Sequence, residues 1–264
     1  MKVKKRDGRL EEVNLDKITK SIQHACDGLE GAEPYQIAIK TVGGLYDGVS
    51  TEQLDLLSIQ TAVNFIAIDP LYSKVASRLM VRIVQKEVER QDIANFSQSV
   101  GACHAEGLIS DETLEFVNAN KRKLNAAIKH DRNDLFEYNG IKTIYDRYLL
   151  KHPRTRKVME SPQFFLMRVA CGLSDDVGAA IEFYNLLSSL EYMTSTPTLF
   201  NSGTKHSQMS SCYLLDSPAD NLQDIYKRYS DVAMLSKWAG GIGLSASRIR
   251  SSGSLIKGTN GKSN

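Results

Sequence analysis

Apolar residues at Leu15, Ile18, Ile22, Cys26 and Leu29 recur at spacings of three and four, the period that lays one stripe along an α-helix. Asn14 precedes the stripe and suits an N-cap, because its side-chain oxygen accepts from an otherwise unpaired N–H of the first turn. Ahead of it, residues 2–6 and 9–13 flank Asp7-Gly8, a favoured two-residue turn pair, so a β-hairpin is predicted there. Ser50 with Gln53 forms a capping-box pattern before a helical run over 54–68. Asp69-Pro70 ends that helix and opens another, since proline disfavours helix at the residue before it and is well accepted at a first helical position. The second helix is expected to reach about Arg90, which makes residues 1–90 a compact unit of hairpin and helices.

From 91 to 190 the period stays helical. Leu114, Val117, Leu124 and Ile128 form one stripe, and Phe164, Leu166, Met167, Val169 and Ala170 belong to another. After Glu191 the texture changes to short apolar or β-prone runs over 192–200 and 208–215, separated by Asn201-Ser202-Gly203, which read as strands. A helix over 221–239 and a strand-like run over 242–249 complete a strand, strand, helix, strand order. That is the start of an α/β domain with its sheet or barrel unclosed.

With 264 residues, 42% hydrophobic and 24% charged, the chain has material for a real core, which argues against a disordered or collagen-like protein. Lys plus Arg number 33 against 31 Asp plus Glu, so no global field invites nucleic acid or membrane and any basic site is local. The longest apolar stretches, such as 164–167, fall far short of the roughly 20 residues that span a bilayer. The basic N-terminus lacks an apolar signal core, so a cytoplasmic location is expected. Cys26, Cys103, Cys171 and Cys212 include no CxxC pair, which points to isolated thiols in a reducing compartment instead of a zinc site or a disulfide scaffold. The tail, Gly258-Thr259-Asn260-Gly261-Lys262-Ser263-Asn264, is turn chemistry with no element after it, so a fragment is expected.

Five of the first nine residues are basic (Lys2, Lys4, Lys5, Arg6 and Arg9), and on a hairpin they alternate between faces. Next to a helix N-terminus with Lys17 in its first turn they suit a polyphosphate. On charge pattern alone the plainer reading leads, a solvated edge strand whose lysines discourage edge pairing. Gly261-Lys262-Ser263 matches the end of a phosphate loop, but the first glycine of that motif falls on Ile256 and no helix follows. Gly240-Gly241-Ile242-Gly243 lacks the six-residue glycine spacing of a dinucleotide fingerprint and reads as a helix stop and tight turn. Cys212, in an expected buried strand, reads by itself as a small apolar core residue before a redox centre. His24, His104, His130, His152 and His206 show no paired ligand spacing and read as surface or structural. Asp131-Arg132 reads as a helix-linking ion pair.

Taken together, several segments resemble the large, catalytic subunit of class I ribonucleotide reductases, which make deoxyribonucleotides from ribonucleoside diphosphates. Val3-Lys4-Lys5-Arg6-Asp7-Gly8 followed by Asn14-Leu15-Asp16-Lys17-Ile18 is similar to the opening of that family's ATP-cone, the regulatory domain that reads ATP against dATP. His130-Asp131-Arg132, Ser195-Thr-Pro-Thr-Leu-Phe-Asn-Ser-Gly203, Ser210-Ser211-Cys212, Gly240-Gly241-Ile242-Gly243 and Gly258-Thr259-Asn260-Gly261 resemble motifs of the catalytic part, in the family's order. One such motif is weak, five in order are specific, and the match spans essentially the whole chain. The resemblance implies an α+β, mostly helical fold: an N-terminal ATP-cone over 1–90 (β-hairpin plus helix bundle), a helical region over 91–190, and the first strands of an incomplete ten-stranded α/β barrel over 191–264.

Carried over residue by residue, the resemblance assigns the ATP/dATP activity site to Lys5, Arg6, Glu11, Lys17, Ile18, Thr51, Asp55 and Lys86, and so lifts the polyphosphate reading of the hairpin. Cations fit a triphosphate, while Glu11 and Asp55 suit ribose or base edges and the discrimination of ATP from dATP. Asp55 stands where some members carry histidine, a eukaryote-like variant, and Lys2, Lys4 and Arg9 gain no role. Cys212 becomes one half of a dithiol that delivers two electrons to the ribose, chemistry suited to thiols because exchange re-reduces them. Thr196, Thr198 and Ser211 match positions around the substrate diphosphate and ribose. Asp220, Asn221, Lys237, Arg250 and Ile256 match a second allosteric site, which chooses the substrate base at a subunit interface, with 250–257 as a mobile loop.

The resemblance further implies ATP, dATP and other nucleoside triphosphates as effectors, with Mg, and a radical metal held by a separate small subunit, so that no metal ligand is expected in this chain. The implied partners are ribonucleoside diphosphate substrates, that small subunit, thioredoxin or glutaredoxin as reductant, and a second copy in a homodimer, with no DNA and no membrane. The radical cysteine with its Asn and Glu, the second dithiol cysteine and the C-terminal reducing cysteines fall after residue 264, so the fragment alone is expected to bind nucleotide without reducing a substrate. Two other readings stand beside this one. A non-catalytic ATP-cone regulator, such as a repressor, would carry a zinc ribbon or DNA-reading module and have no use for 195–212. A cobalamin-dependent reductase shares parts of the barrel.

Overall fold

The computed structural model describes residues 2–4, 8–238 and 240–263. Its contacts separate two units, Met1–Met193 with Gly203–Lys205, and Thr194–Ser202 with His206–Asn264.

The first unit opens on the expected hairpin, β1 (Lys2–Lys4) antiparallel to β2 (Leu10–Glu12). Its register corrects the expectation. A two-residue turn at Asp7-Gly8 would set Lys4 opposite Glu11, whereas Lys4 faces Leu10 and Lys2 faces Glu12. Gly8 is left-handed, at φ +88°, and Asp7, the other expected turn residue, lies outside the described residues. Alternation along β1 buries Val3 and exposes Lys2 and Lys4. Lys4 N donates to Val49 O at 2.9 Å and Gly48 N donates to Lys2 O at 2.8 Å, which ties the hairpin to the segment leading into α3 (Thr51–Phe65).

Helix α1 (Leu15–Cys26) begins as read, with Asn14 Oδ1 accepting from Lys17 N at 3.0 Å. It buries Ile18, Ile22 and Cys26, while Leu15 stays exposed. After α2 (Pro34–Gly43), the capping box of α3 is complete, Ser50 N to Gln53 Oε1 at 3.0 Å and Gln53 N to Ser50 Oγ at 3.1 Å. Helix α3 stops earlier than expected, and α4 (Tyr72–Glu89) starts two residues past Pro70. Asp69 Oδ1 takes up Leu71 N at 2.8 Å, so side-chain bonding turns the chain before the helix resumes.

Helices α5 (Phe96–Ala105), α6 (Asp111–Ala127), α7 (Tyr138–Thr143), α8 (Pro162–Cys171) and α9 (Val177–Ser188) complete this unit. Every residue of α8 is buried, which marks it as the central helix instead of an amphipathic surface one. Its Arg168 is about 1% exposed and joins Glu160 through Nε–Oε2 and Nη2–Oε1 contacts of 3.0 Å each. The expected Asp131–Arg132 pair is replaced. Arg132 Nη1 donates to Asn185 O at 3.0 Å and to Ser188 Oγ, because the C-terminal carbonyls of α9 need donors.

In the second unit the order corrects to helix, strand, helix, strand: α10 (Thr196–Asn201), β3 (Cys212–Leu215), α11 (Leu222–Lys237) and β4 (Gly241–Leu244). The run over 192–200, read as a strand, carries α10 instead, because Pro197 cannot donate to a ladder yet fits a first helical turn. β3 and β4 are parallel, Cys212 opposite Gly241 and Leu215 opposite Leu244, so β3, α11 and β4 form a βαβ unit. β3 is shorter than the run over 208–215, since Gln208 O and Met209 O accept from side chains of α10. No helix among the described residues is long and apolar enough to cross a membrane.

Candidate functional site

In the first unit a cavity of about 790 Å³ opens between the hairpin, α1, the start of α3 and α4. Glu11, Lys17, Ile18, Thr51, Asp55 and Lys86 all line it. Lys5 and Arg6, the other two expected residues, lie outside the described residues. Lys17 sits in the first turn of α1, where unpaired N–H groups and the helix dipole favour an anion. Thr51 and Asp55 are one turn apart on α3 and share a face. Lys86, in the last turn of α4, places Nζ 3.7 Å from Asp55 Oδ2, with both side chains partly buried.

The sequence reading missed other lining residues, among them Lys20, Ser21, Arg82 and Arg90. A signal was present, because Arg78, Arg82, Lys86 and Arg90 recur every four residues and so share one face of α4. The lining sets Lys17, Lys20, Arg82, Lys86 and Arg90 against Glu11, Glu12, Asp27 and Asp55, over a buried apolar floor of Val3, Ile18 and Leu79. An apolar floor with a cationic wall suits a ligand that combines a flat ring with several negative charges.

In the second unit Cys212 opens β3 and is exposed, its Sγ 3.6 Å from Ser211 Oγ. This overturns the reading of Cys212 as a core residue. The glycine run is also more than a turn, since Gly241, Ile242 and Gly243 lie within β4. A Cβ at Gly241 would stand 3.2 Å from Ser211 O and 3.9 Å from Cys212 Sγ, and one at Gly240 would stand 2.8 Å from the Tyr213 ring. The missing side chains therefore leave the strand beside Cys212 closely approachable. Thr196 opens α10. Thr198 Oγ1 donates to Met209 O at 3.2 Å, which ties that helix to the segment leading into Ser211.

Arg250 draws the other group together. Its Nε meets Asp220 Oδ2 at 2.7 Å, its Nη2 meets Asp220 O at 3.1 Å, and its Nη1 meets Leu255 O at 3.3 Å, next to Ile256. Asn221 caps α11, with Oδ1 accepting from Asp224 N at 3.0 Å. Lys237 is not brought in, because it ends α11 about 24 Å along the helix axis from Asn221 at the usual rise per residue. The loop over 250–257 bonds with the tail, Gly253 N to Ser263 O at 2.7 Å and Ile256 N to Gly261 O at 2.9 Å.

Comparison with known proteins finds three matched segments along the chain. Residues 1–87 match the ATP cone domain, residues 134–207 the all-alpha domain of ribonucleotide reductase, and residues 210–264 its barrel domain. The chain is 44% identical over 273 residues to the ribonucleoside-diphosphate reductase large subunit of Danio rerio, covering 100% of this chain and 34% of the relative. It is 44% identical over 272 residues to the large subunit of Caenorhabditis elegans, covering 99% and 34%. It is 40% identical over 276 residues to the large chain of Schizosaccharomyces pombe, covering 100% and 33%. The chain thus spans about a third of the length of the curated relatives it matches. Three domain models in sequence and identity along its whole length establish that the chain belongs to the ribonucleotide reductase large-subunit family.

Proposed function

We propose that this chain supplies the effector-binding cone (1–90), the helical region (91–190) and the opening of the catalytic barrel (191–264) of a class I ribonucleoside-diphosphate reductase. The observation that carries the reading is the convergence of Glu11, Lys17, Ile18, Thr51, Asp55 and Lys86 on one cavity, although they come from four different elements. In this reading Lys17 and Lys86 neutralise the triphosphate of ATP or dATP, the floor of Val3 and Ile18 receives the base, and Glu11 and Asp55 accept hydrogen bonds from ribose or base. Asp55 is held by Lys86 before ligand arrives, so a phosphate competing for Lys86 also changes what Asp55 bonds to. A Mg²⁺ ion would arrive with the nucleotide. Glu11 and Asp55 would hold it through carboxylate oxygens, and it would offset the charge of the phosphates.

Cys212, exposed beside Ser211, acts in this reading as one thiol of a dithiol. Each sulfur gives up a proton and an electron as the disulfide forms, and the two electrons reduce the ribonucleoside diphosphate. Thr196, Thr198 and Ser211 orient that substrate, while Asp220, Asn221, Arg250 and Ile256 hold the specificity effector, with Lys237 reaching a site across a homodimer interface. The radical metal sits in a separate small subunit, thioredoxin or glutaredoxin restores the dithiol, and the enzyme works in the cytoplasm. The matches to the all-alpha and barrel domains favour this over a purely regulatory cone protein. Titration calorimetry with ATP and dATP tests the cone. The chain binds both, Lys17→Ala and Lys86→Ala each weaken binding about ten-fold through loss of a charge-assisted contact, and Asp55→Asn alters the ratio of the two affinities. Unchanged affinity in both lysine variants overturns the site.

A further inference from the structure

Helices α1 and α4 run past each other in a register that their cross-contacts define. Arg78 Nη1 donates to Ala25 O at 3.1 Å, and one turn along, Arg82 Nη1 donates to Ser21 Oγ at 3.1 Å. Each step of four residues up α4 is a step of four down α1, so the next level pairs Lys86 with Lys17. Like charges at one level cannot bond each other, and both line the cavity. The groove thus presents two cations at one level and Arg82 about 6 Å further along the axis, at the rise of a helical turn.

Arg82 differs from its neighbours on the same face of α4. Arg78 is committed to Ala25 O, Asp27 O and Asp134, and Lys86 pairs with Asp55. Among the described residues Arg82 has no carboxylate partner, and its guanidinium makes one hydrogen bond, to a neutral hydroxyl. That bond steadies the side chain without neutralising it, which leaves an oriented cation with unused N–H groups on a cavity wall. A guanidinium presented in this way matches the forked oxygens of a terminal phosphate better than a single bridging oxygen.

Given the cone reading above, on which this inference rests, Glu11, Thr51 and Asp55 hold the base and ribose end, and the phosphates extend along the α1–α4 groove. We propose that Arg82 is a further nucleotide-binding residue, which engages the terminal phosphate of a nucleoside triphosphate and sets the preference of the cavity for triphosphates over monophosphates. Lys17 and Lys86 contact the phosphates nearer the ribose. Arg82 is reached only by the longer chain.

The test is titration calorimetry of ATP, ADP and AMP, at constant magnesium, into the chain and its Arg82→Ala and Arg82→Lys variants, with the thermal unfolding midpoint checking each fold. Arg82→Ala weakens ATP about ten-fold and leaves AMP within about two-fold, the difference expected of one charge-assisted contact. Arg82→Lys, which keeps the charge and loses the fork, falls between. Equal losses for ATP and AMP, or no loss for ATP, overturn the role of Arg82 while ATP binding sensitive to Lys17→Ala keeps the cone reading intact. A wild-type chain that binds none of the three nucleotides overturns both.

Discussion

At the scale of single residues, access to water separates the four thiols. Burial pushes the Cys26 thiol from its ordinary 9.0 up to about 11 and that of Cys171 up to about 12, and burial, reinforced by Glu160, raises Cys103 as well. Cys212 is exposed. The thiolate is the reactive form, so iodoacetamide at neutral pH adds one label to the folded protein, on Cys212, and three more only after denaturation. Peptide mass mapping reads this directly, and equal labelling of Cys103 or Cys171 in the folded state contradicts it. Nothing local to Ser210-Ser211-Cys212 announced the exposure, because an isolated apolar-looking run reads alike on a covered and an open strand. Arg168 shows the converse. A charged residue within an apolar run is sealed beside Glu160, and no spacing rule reveals a partner eight residues away, ahead of the helix cap.

At the scale of elements, the glycine run of β4 sets two substitutions apart. A Cβ at Gly240 would lie 2.8 and 2.9 Å from two atoms of the Tyr213 ring and 3.1 Å from the backbone oxygen of Leu235. At Gly243 the obstacle is the tip of Leu214, at 2.9 Å, and Leu214 is 91% exposed and free to swing away. Gly240→Ala is therefore expected to destabilise by about 1–3 kcal/mol, the range of an overpacked contact, and Gly243→Ala by less than about 1 kcal/mol. Urea denaturation compares them, and equal costs would remove the steric account. Elements whose ends carry their own chemistry were legible: Asn14, and Ser50 with Gln53, each cap the helix assigned to them. α10 was not, because 192–200 is short, apolar and β-branched, and the proline that fits a first helical turn carried too little weight against that composition.

At the scale of the whole molecule, α4 serves two neighbours at once. Arg78 reaches back to Ala25 and Asp27 and outward to Asp134, and Glu87, beside Lys86, accepts from Val158 N at 3.1 Å. Burial and the nearby Glu87 raise Tyr145 from 10.0 to about 12, so this junction joins Cys26 and Cys171 among groups that keep their protons in the folded state. Unfolded thiols and phenols ionise near their ordinary values, hence between about pH 9 and pH 12 the unfolded chain has released protons that the folded chain retains. The stabilisation is full below about pH 9 and is lost as pH rises. Urea midpoints should fall from about pH 9 to pH 11, and Tyr145→Phe should flatten the fall; a midpoint that rises with pH refutes the assignment. The sequence by itself determined the helix caps, the buried stripes, the family motifs and six residues that the fold gathers on one cavity, because these depend on spacings of a few residues and on side-chain chemistry. Only the tertiary structure decided that Arg82 meets Ser21, 61 positions away, that Glu87 holds Val158, and that Cys212 faces water. Such juxtapositions follow from how helices and strands pack against one another, a cooperative outcome of the whole core that no short window of residues contains.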